Sequence, residues 1–346
     1  MKRKLLLIGS DTIHVFNYYN LIKSYFDEIL VITDKLRDSF NYENVVTANF
    51  SIKSIQPHLS TSKFIEEKIN NFNPSIIHIH QANSYAYYSI KALKNKNIPV
   101  VITAWGSDVL YTPHLGKIYR KMTEFCLDPR FKFTSDSLYM AYEMQKLSVK
   151  GNLDISIANF GINVLDVNHE KENLIYSNRL HKKFYRIDKI IDAFHKFSIT
   201  QQEKWKLVIA ATGDETDNLK QQVQNYGITD QVDFVGFLDA AKNSEYYAKA
   251  KYYVSVPESD GTAISLLEAM YLGCVPIVAN LPANYEWIIN QVNGIIVDNL
   301  NSNFLAIALS IDTKFASDFN RNLITQKGTK EVNRKIFIDI YDNLLK

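Results

Sequence analysis

Of the 346 residues only two are cysteines, Cys126 and Cys274, too few for a disulfide framework and too isolated for a zinc knuckle. Both read as reduced thiols. The chain has no Gly-x-Gly and no Gly-Lys-Ser/Thr, which removes the dinucleotide fingerprint and the nucleotide-triphosphate loop. No two aspartates stand one residue apart, so a common acidic pair for holding a divalent ion is missing. Apolar runs fall well short of the roughly 18 residues of a membrane span. The opening MKRKLLLIGSD is interrupted by Gly9, Ser10 and Asp11 and reads as a first strand rather than a leader. Only 12 Gly and 8 Pro are present, without repeat or bias, which excludes collagenous and low-complexity classes. Net charge is only +2 and the aromatic residues follow no basic stripe, so nucleic acid is not an expected partner.

What is present is 46% hydrophobic and 22% charged, enough for more than one core, and the length suggests two domains. Short apolar runs alternate with amphipathic stretches: KLLLIG, a helix from His14 to Phe26, EILVIT, a helix around Lys63–Asn71, SIIHIH, a helix over Ala86–Lys96, and PVVITAW. Continuous apolar strands separated by helices indicate parallel sheets covered on both faces. A second series starts at Asn173 with NLIYSNR, a helix at Lys189–Phe197, WKLVIAAT, a helix at Asn218–Tyr226, QVDFVGF, YYVSVPE and VPIVAN. The polar stretch from Asn163 to Glu172 reads as the linker. Residues 1–165 carry 19 Lys and Arg against 14 Asp and Glu, and the rest carry 20 against 23, so the two halves differ in sign.

The segment from Ser255 to Asn280, SVPESDGTAISLLEAMYLGCVPIVAN, concentrates the chemistry. A strand ends, a polar loop follows, and a helix begins near Ile264. Asp260 lies in the loop and Glu268 inside the helix, while Gly261, Thr262, Ala263, Ile264 and Ser265 place N–H groups at the positive helix end, fit to grip a diphosphate. Taken as isolated features, the same residues also describe a polar loop feeding an ordinary amphipathic helix.

Taken together they resemble the retaining glycosyltransferases of family 4. The signature there is an acid, seven residues and a Glu, then Ala-Met, a Gly and a Pro-containing strand, and here Asp260, Glu268, Ala269, Met270, Gly273 and Pro276 match it. Asp260 departs from the more usual Glu. NGIIVD (Asn293–Asp298) and VDFVGF extend the resemblance, which is specific over 173–298 and looser over 1–165. It implies an α/β GT-B fold of two Rossmann-like domains facing an interdomain cleft, with an acceptor-side domain over 1–165, a donor domain over 166–328, and a final helix over 329–346 packing on the first.

The resemblance also implies roles. Arg179 matches the arginine that neutralises the donor diphosphate; Lys183 is assigned as its lysine companion, although ungapped counting puts Tyr185 there, with Lys182 and Arg186 as neighbours. Phe237 and Leu238 would line the nucleobase and Glu268 would bind the ribose. Asp260 would support charge developing on the sugar. Gly9, Ser10, His80, Trp105, Ser107 and Asp108 fall at strand ends on the acceptor side. Trp105 reads equally as a core ring, and His78 with His80 share a strand face without the acids of a metal site. The expected enzyme takes a nucleotide sugar, most often a UDP-sugar, as substrate, needs no cofactor and no metal, and delivers a hexose to a glycan or lipid-linked acceptor in surface polysaccharide or lipopolysaccharide synthesis. Basic residues of the first half suggest peripheral contact of a cytoplasmic protein with anionic membrane. A sugar-nucleotide epimerase of the same fold and a non-catalytic nucleotide-sugar-binding subunit are the alternatives.

Overall fold

The computed structural model describes residues 2–52, 57–94, 96–164, 167 and 169–346, with residues 57–59 described in backbone only. The chain forms two units, residues 1–161 with 330–346, and residues 162–329. The boundary expected at residues 165 and 166 lies outside the described residues.

In the first unit β1 (Lys4–Ile8), β2 (Glu28–Thr33), β3 (Val45–Thr47), β4 (Ile76–His80), β5 (Val100–Thr103), β6 (Lys132–Ser135) and β7 (Asp154–Ile157) make one parallel sheet in the order β3-β2-β1-β4-β5-β6-β7. Side chains alternate across a strand, so successive residues feed two cores. Leu6, Ile8, Ile77 and Ile79 enter one, and Leu5, Leu7, Ile76 and Val101 the other. This is why the strands read as unbroken apolar runs. The final helix, Lys330–Leu344, closes the second of these cores with Phe337, Ile340 and Tyr341. It is fastened by Arg334, which donates to Leu21 O at 3.0 Å and Ser24 Oγ at 2.9 Å. Asn333 Oδ1 accepts the Asn159 N–H at 2.9 Å.

The second unit repeats the plan with β8 (Glu172–Ser177), β9 (Lys206–Ala210), β10 (Val232–Gly236), β11 (Ala250–Ser255), β12 (Val275–Ala279) and β13 (Ile295–Val297), ordered β10-β9-β8-β11-β12-β13 and parallel throughout. Both sheets reverse their winding once, at β1/β4 and at β8/β11. Connections leave such a pair in opposite directions and open a crevice beyond the strands' carboxyl ends, the usual ligand position in an open α/β sheet.

The expected helix His14–Phe26 is shorter, Ile13–Ile22, and continues as a 3₁₀ turn over Lys23–Tyr25. The stretch 163–172 is not all linker, since β8 begins at Glu172. The helices Lys117–Cys126 and Leu138–Leu147 and strands β6 and β7 lie where the sequence reading placed no element.

Candidate functional site

Arg179 lies two residues beyond the end of β8 and Asp260 five beyond β11, at the reversal point of the second sheet. Their side chains meet, Arg179 Nη2 donating to Asp260 Oδ2 at 2.8 Å. Arg179 Nη1 also reaches Ser265 Oγ at 3.4 Å. Ser265 belongs to the helix Ile264–Tyr271, where Ala263 takes the cap position without a side-chain hydrogen bond to the first N–H groups. Ser265 and Glu268, one turn apart, share a helix face. The Arg179 side chain is only 13% exposed. Burial is the largest influence and opposes its charge, but the Asp260 carboxylate together with Tyr253 and Tyr185 holds the guanidinium above its ordinary value.

The tyrosine at the position where counting placed a lysine has its own function in the fold. The Tyr185 ring lies under Arg179, with Cζ 4.7 Å from its centroid, a cation–π contact. Lys183 stands exposed at the start of the same 3₁₀ turn and forms no ion pair among the described residues. Arg186 turns to Glu258 at 3.7 Å. Neither is drawn into the Arg179–Asp260 pair, so the structure brings an aromatic ring, not a second cation, against Arg179.

Thr262 and Gly261 are buried beside the loop, and the Thr262 hydroxyl accepts from Trp287 Nε1 at 3.3 Å. That bond ties the loop to Trp287. Phe237 is 69% exposed directly after Gly236, whose φ of 69° requires glycine's freedom. Behind it the Leu238 carbonyl is held by Asn243 Nδ2 at 3.1 Å. An open ring beside a fixed carbonyl is what a planar base needs. Glu268 is half-buried, and its charge helps raise the pKa values of the buried Tyr176 and Tyr247, for which burial is the larger cause.

The reversal point of the first sheet is more enclosed. Gly9 is packed so closely that a Cβ would lie 2.9 Å from Val15 Cγ2 and 3.1 Å from His80 Cβ. His80 is wholly buried at the end of β4. Its Nδ1 accepts from Trp105 Nε1 at 3.0 Å, so the neutral ring carries its proton on Nε2, which has no partner among the described residues. Burial takes its pKa down to about 3. Trp105 is half-buried, with its indole N–H held by His80 and the His14 ring 5.4 Å away between centroids. Asp108 is also buried and spends both oxygens on backbone, accepting from Trp105 N at 2.9 Å and Ala82 N at 2.6 Å. It fixes two loops and faces no solvent. Ser107 is exposed, and the Ser10 hydroxyl oxygen is buried without a partner among the described residues.

His78 is committed to structure. Its Nδ1 meets Tyr341 Oη at 2.6 Å and its Nε2 meets Thr103 Oγ1 at 2.6 Å. Among the described residues no group of three or more His, Cys, Asp or Glu is placed to hold a metal, and no helix is long and apolar enough to cross a membrane.

Sequence reasoning missed Asn178, Asn243 and Tyr253, which lie beneath the Arg179 group; the adjacency of Asn178 to Arg179 was the available signal. Residues 160–321 match the family model for glycosyl transferases group 1, and residues 4–137 match the glycosyl transferase 4-like model. The chain is 32% identical over 82 residues to an alpha-monoglucosyldiacylglycerol synthase of Streptococcus pneumoniae, 24% of this chain and 18% of that one. It is 30% identical over 160 residues to an uncharacterized glycosyltransferase of Methanocaldococcus jannaschii, 46% of this chain and 39% of that one. The matches thus span well under half the length of these relatives. Among solved structures, HepE of Anabaena in complex with UDP and glucose superposes with a TM-score of 0.80 at 12% identity, covering 99% of this chain and 100% of that one. The lipopolysaccharide outer core galactosyltransferase WaaB gives 0.76 at 14%, covering 98% and 99%. The fold is therefore GT-B, with two Rossmann-like parallel-sheet domains.

Proposed function

We propose that the chain is a retaining glycosyltransferase that moves a hexose from a nucleotide sugar to a glycan or lipid-linked acceptor. The observation that carries this reading is the Arg179–Asp260 pair at the β8/β11 reversal, beside an uncapped helix start and inside the segment matched by the group 1 family model. UDP is the favoured nucleotide, because HepE and the pneumococcal O-GlcNAc transferase GtfA are similar folds solved with UDP. In the reaction the bond from the anomeric carbon to the diphosphate breaks as a new bond forms from that carbon to the acceptor oxygen. The acceptor proton passes to the departing diphosphate on the same face. Arg179 and the N–H groups of Ile264 and Ser265 take up the negative charge of the leaving group without a metal. Asp260, released from Arg179 by the diphosphate, faces the positive charge on the ring, and Glu268 holds the ribose.

The acceptor reading rests on the first unit. Tyr111, Leu115 and Ile118 are exposed, Ile118 by 78%, and are interleaved with exposed Lys117, Arg120 and Lys121. Apolar anchors among cations suit the surface of an anionic membrane, where each basic residue contributes about 1 kcal/mol. The similarity to an alpha-monoglucosyldiacylglycerol synthase, an enzyme named for a glycolipid, supports a lipid-linked acceptor, and in this reading the protein is peripheral on the cytoplasmic side.

The test incubates the chain with UDP-glucose, UDP-galactose, UDP-N-acetylglucosamine and GDP-mannose, with and without a bacterial lipid extract. Release of nucleoside diphosphate that depends on the extract, with labelled sugar in the lipid phase, is the expected result. Conversion of a donor alone to its epimer would replace the transferase by an epimerase, and binding without turnover would leave a binding subunit.

A further inference from the structure

Beneath the proposed donor site runs a hydrogen-bonded chain that no role assigned so far explains. Arg179 Nη1 lies 3.4 Å from Ser265 Oγ, which lies 2.8 Å from the Tyr253 hydroxyl. That hydroxyl is 3.2 Å from Asn178 Oδ1. Asn178 Nδ2 donates to Asn243 Oδ1 at 3.0 Å, and Asn243 Nδ2 donates to the Leu238 carbonyl at 3.1 Å. Tyr253 donates to Ser265 Oγ and lies within reach of Asn178 Oδ1, so its single proton faces two acceptors. The contacts run without a break from the guanidinium to the Leu238 carbonyl.

The surroundings fix this path. Tyr253, Tyr247 and Tyr176 are fully buried. Tyr247 Oη accepts the second Asn178 N–H at 2.7 Å, and Tyr176 Oη donates to Asn243 Oδ1 at 2.7 Å. Both asparagines therefore have their amides oriented by more than one partner. Away from water, a side-chain network of this kind can be worth more than the sum of its pairs.

We propose that Asn178, Tyr253 and Asn243 are positioning residues that join the nucleobase loop at Phe237–Leu238 to Arg179 as one mechanical unit, so that the base and the diphosphate of the donor are recognised cooperatively. This rests on the donor-site reading given above. Asn243 contacts Leu238 at one end and is separated from Arg179 by three residues of the chain, yet its loss is felt at the diphosphate.

The experiment titrates the full-length protein by calorimetry with UDP, uridine and inorganic pyrophosphate. The proteins compared are the wild type, Asn243→Leu, Tyr253→Phe and the double variant, each first checked for an intact melting transition. Asn243→Leu is expected to weaken pyrophosphate as well as uridine, each about fivefold, the scale of one lost hydrogen bond. Tyr253→Phe is expected to weaken UDP similarly. The double variant is expected to be no more than about twofold worse than the poorer single one, because a chain already cut loses little at a second cut. Asn243→Ser replaces Asn243→Leu should the latter fail to fold. Pyrophosphate affinity unchanged in the Asn243 variant, or losses that multiply in the double variant, would overturn the coupling. A wild type that binds neither UDP nor any of GDP, ADP and dTDP would instead overturn the donor-site reading itself.

Discussion

Arg179 and Asp260, 81 positions apart, stand 2.8 Å from one another because β8 and β11 are neighbours in the sheet although two strands separate them in sequence. Without a donor each neutralises the other. In the donor-site reading proposed above, a bound diphosphate would compete with Asp260 for the same guanidinium, and the displaced carboxylate would be freed beside the sugar.

The two acids should therefore respond differently to mutation. Asp260→Asn removes a competitor for Arg179, so affinity for free UDP is expected to hold or tighten while turnover falls at least tenfold. Glu268→Ala is expected to weaken UDP and donor in parallel, by about 1.5–3 kcal/mol for a lost hydrogen bond to a charged group. Calorimetry with UDP paired with initial rates separates the two. Equal effects of both variants on UDP affinity would argue against the division of roles.

Gly213 offers a test that touches no ligand. A Cβ there would lie 2.4 Å from the His181 carbonyl oxygen and 2.8 Å from its carbon, so the loop after β9 fits against the one carrying Arg179 only because residue 213 has no side chain. Gly213→Ala is expected to cost about 1–3 kcal/mol as an overpacking change. It should also weaken UDP, since the displaced backbone lies two residues from Arg179. A variant with wild-type melting temperature and UDP affinity would show that the loops are free to separate.

Acid sensitivity follows from the buried imidazoles of the first unit. Burial lowers the pKa values of His78 and His14 from 6.5, and takes that of His80 down to about 3. The unfolded chain binds these protons first, so stability is complete above about pH 6.5 and is lost progressively as pH falls towards 3. Melting temperature should drop between pH 6.5 and 4.5, and His80→Gln should flatten that slope. An unchanged slope in the variant would mean that other groups carry it.

At the membrane-facing surface proposed for the first unit, both charge and apolar area contribute. Full-length protein is expected to sediment with vesicles containing phosphatidylglycerol at low salt and to stay in solution with neutral vesicles. Lys117→Gln with Arg120→Gln and Lys121→Gln should abolish sedimentation, and Ile118→Ser should weaken it at any salt. Sedimentation unaffected by either change would move the contact elsewhere.

Much of this was legible in the sequence for a physical reason. Strands such as Leu5–Ile8 are buried on both faces and so appear as unbroken apolar runs between amphipathic helices, and β4 departs from this only at the buried His78 and His80. Asp260 and Glu268 could be located as an acid in a loop and an acid in the helix behind it, while Arg179 and the roles assigned to all three came only from the resemblance to family 4. The burial of Asp108 was not legible because its partners, the Ala82 and Trp105 amides, come partly from another strand end and leave no trace in spacing. That of His80 was not legible either, since only tertiary packing of Trp105 and Tyr18 encloses it. The Tyr253–Asn178–Asn243 chain was invisible because it links three elements of the second sheet through side chains whose types are ordinary in strands and helices.

The most direct test of the donor site is calorimetry with UDP, GDP, ADP and dTDP on the wild type and Arg179→Ala, all in excess EDTA. The account predicts that the wild type binds one of the four without a metal and that Arg179→Ala binds it at least tenfold more weakly, the loss of a charge-assisted contact to phosphate. Binding that requires Mg²⁺ or Mn²⁺, or an Arg179→Ala variant as tight as the wild type, would contradict it.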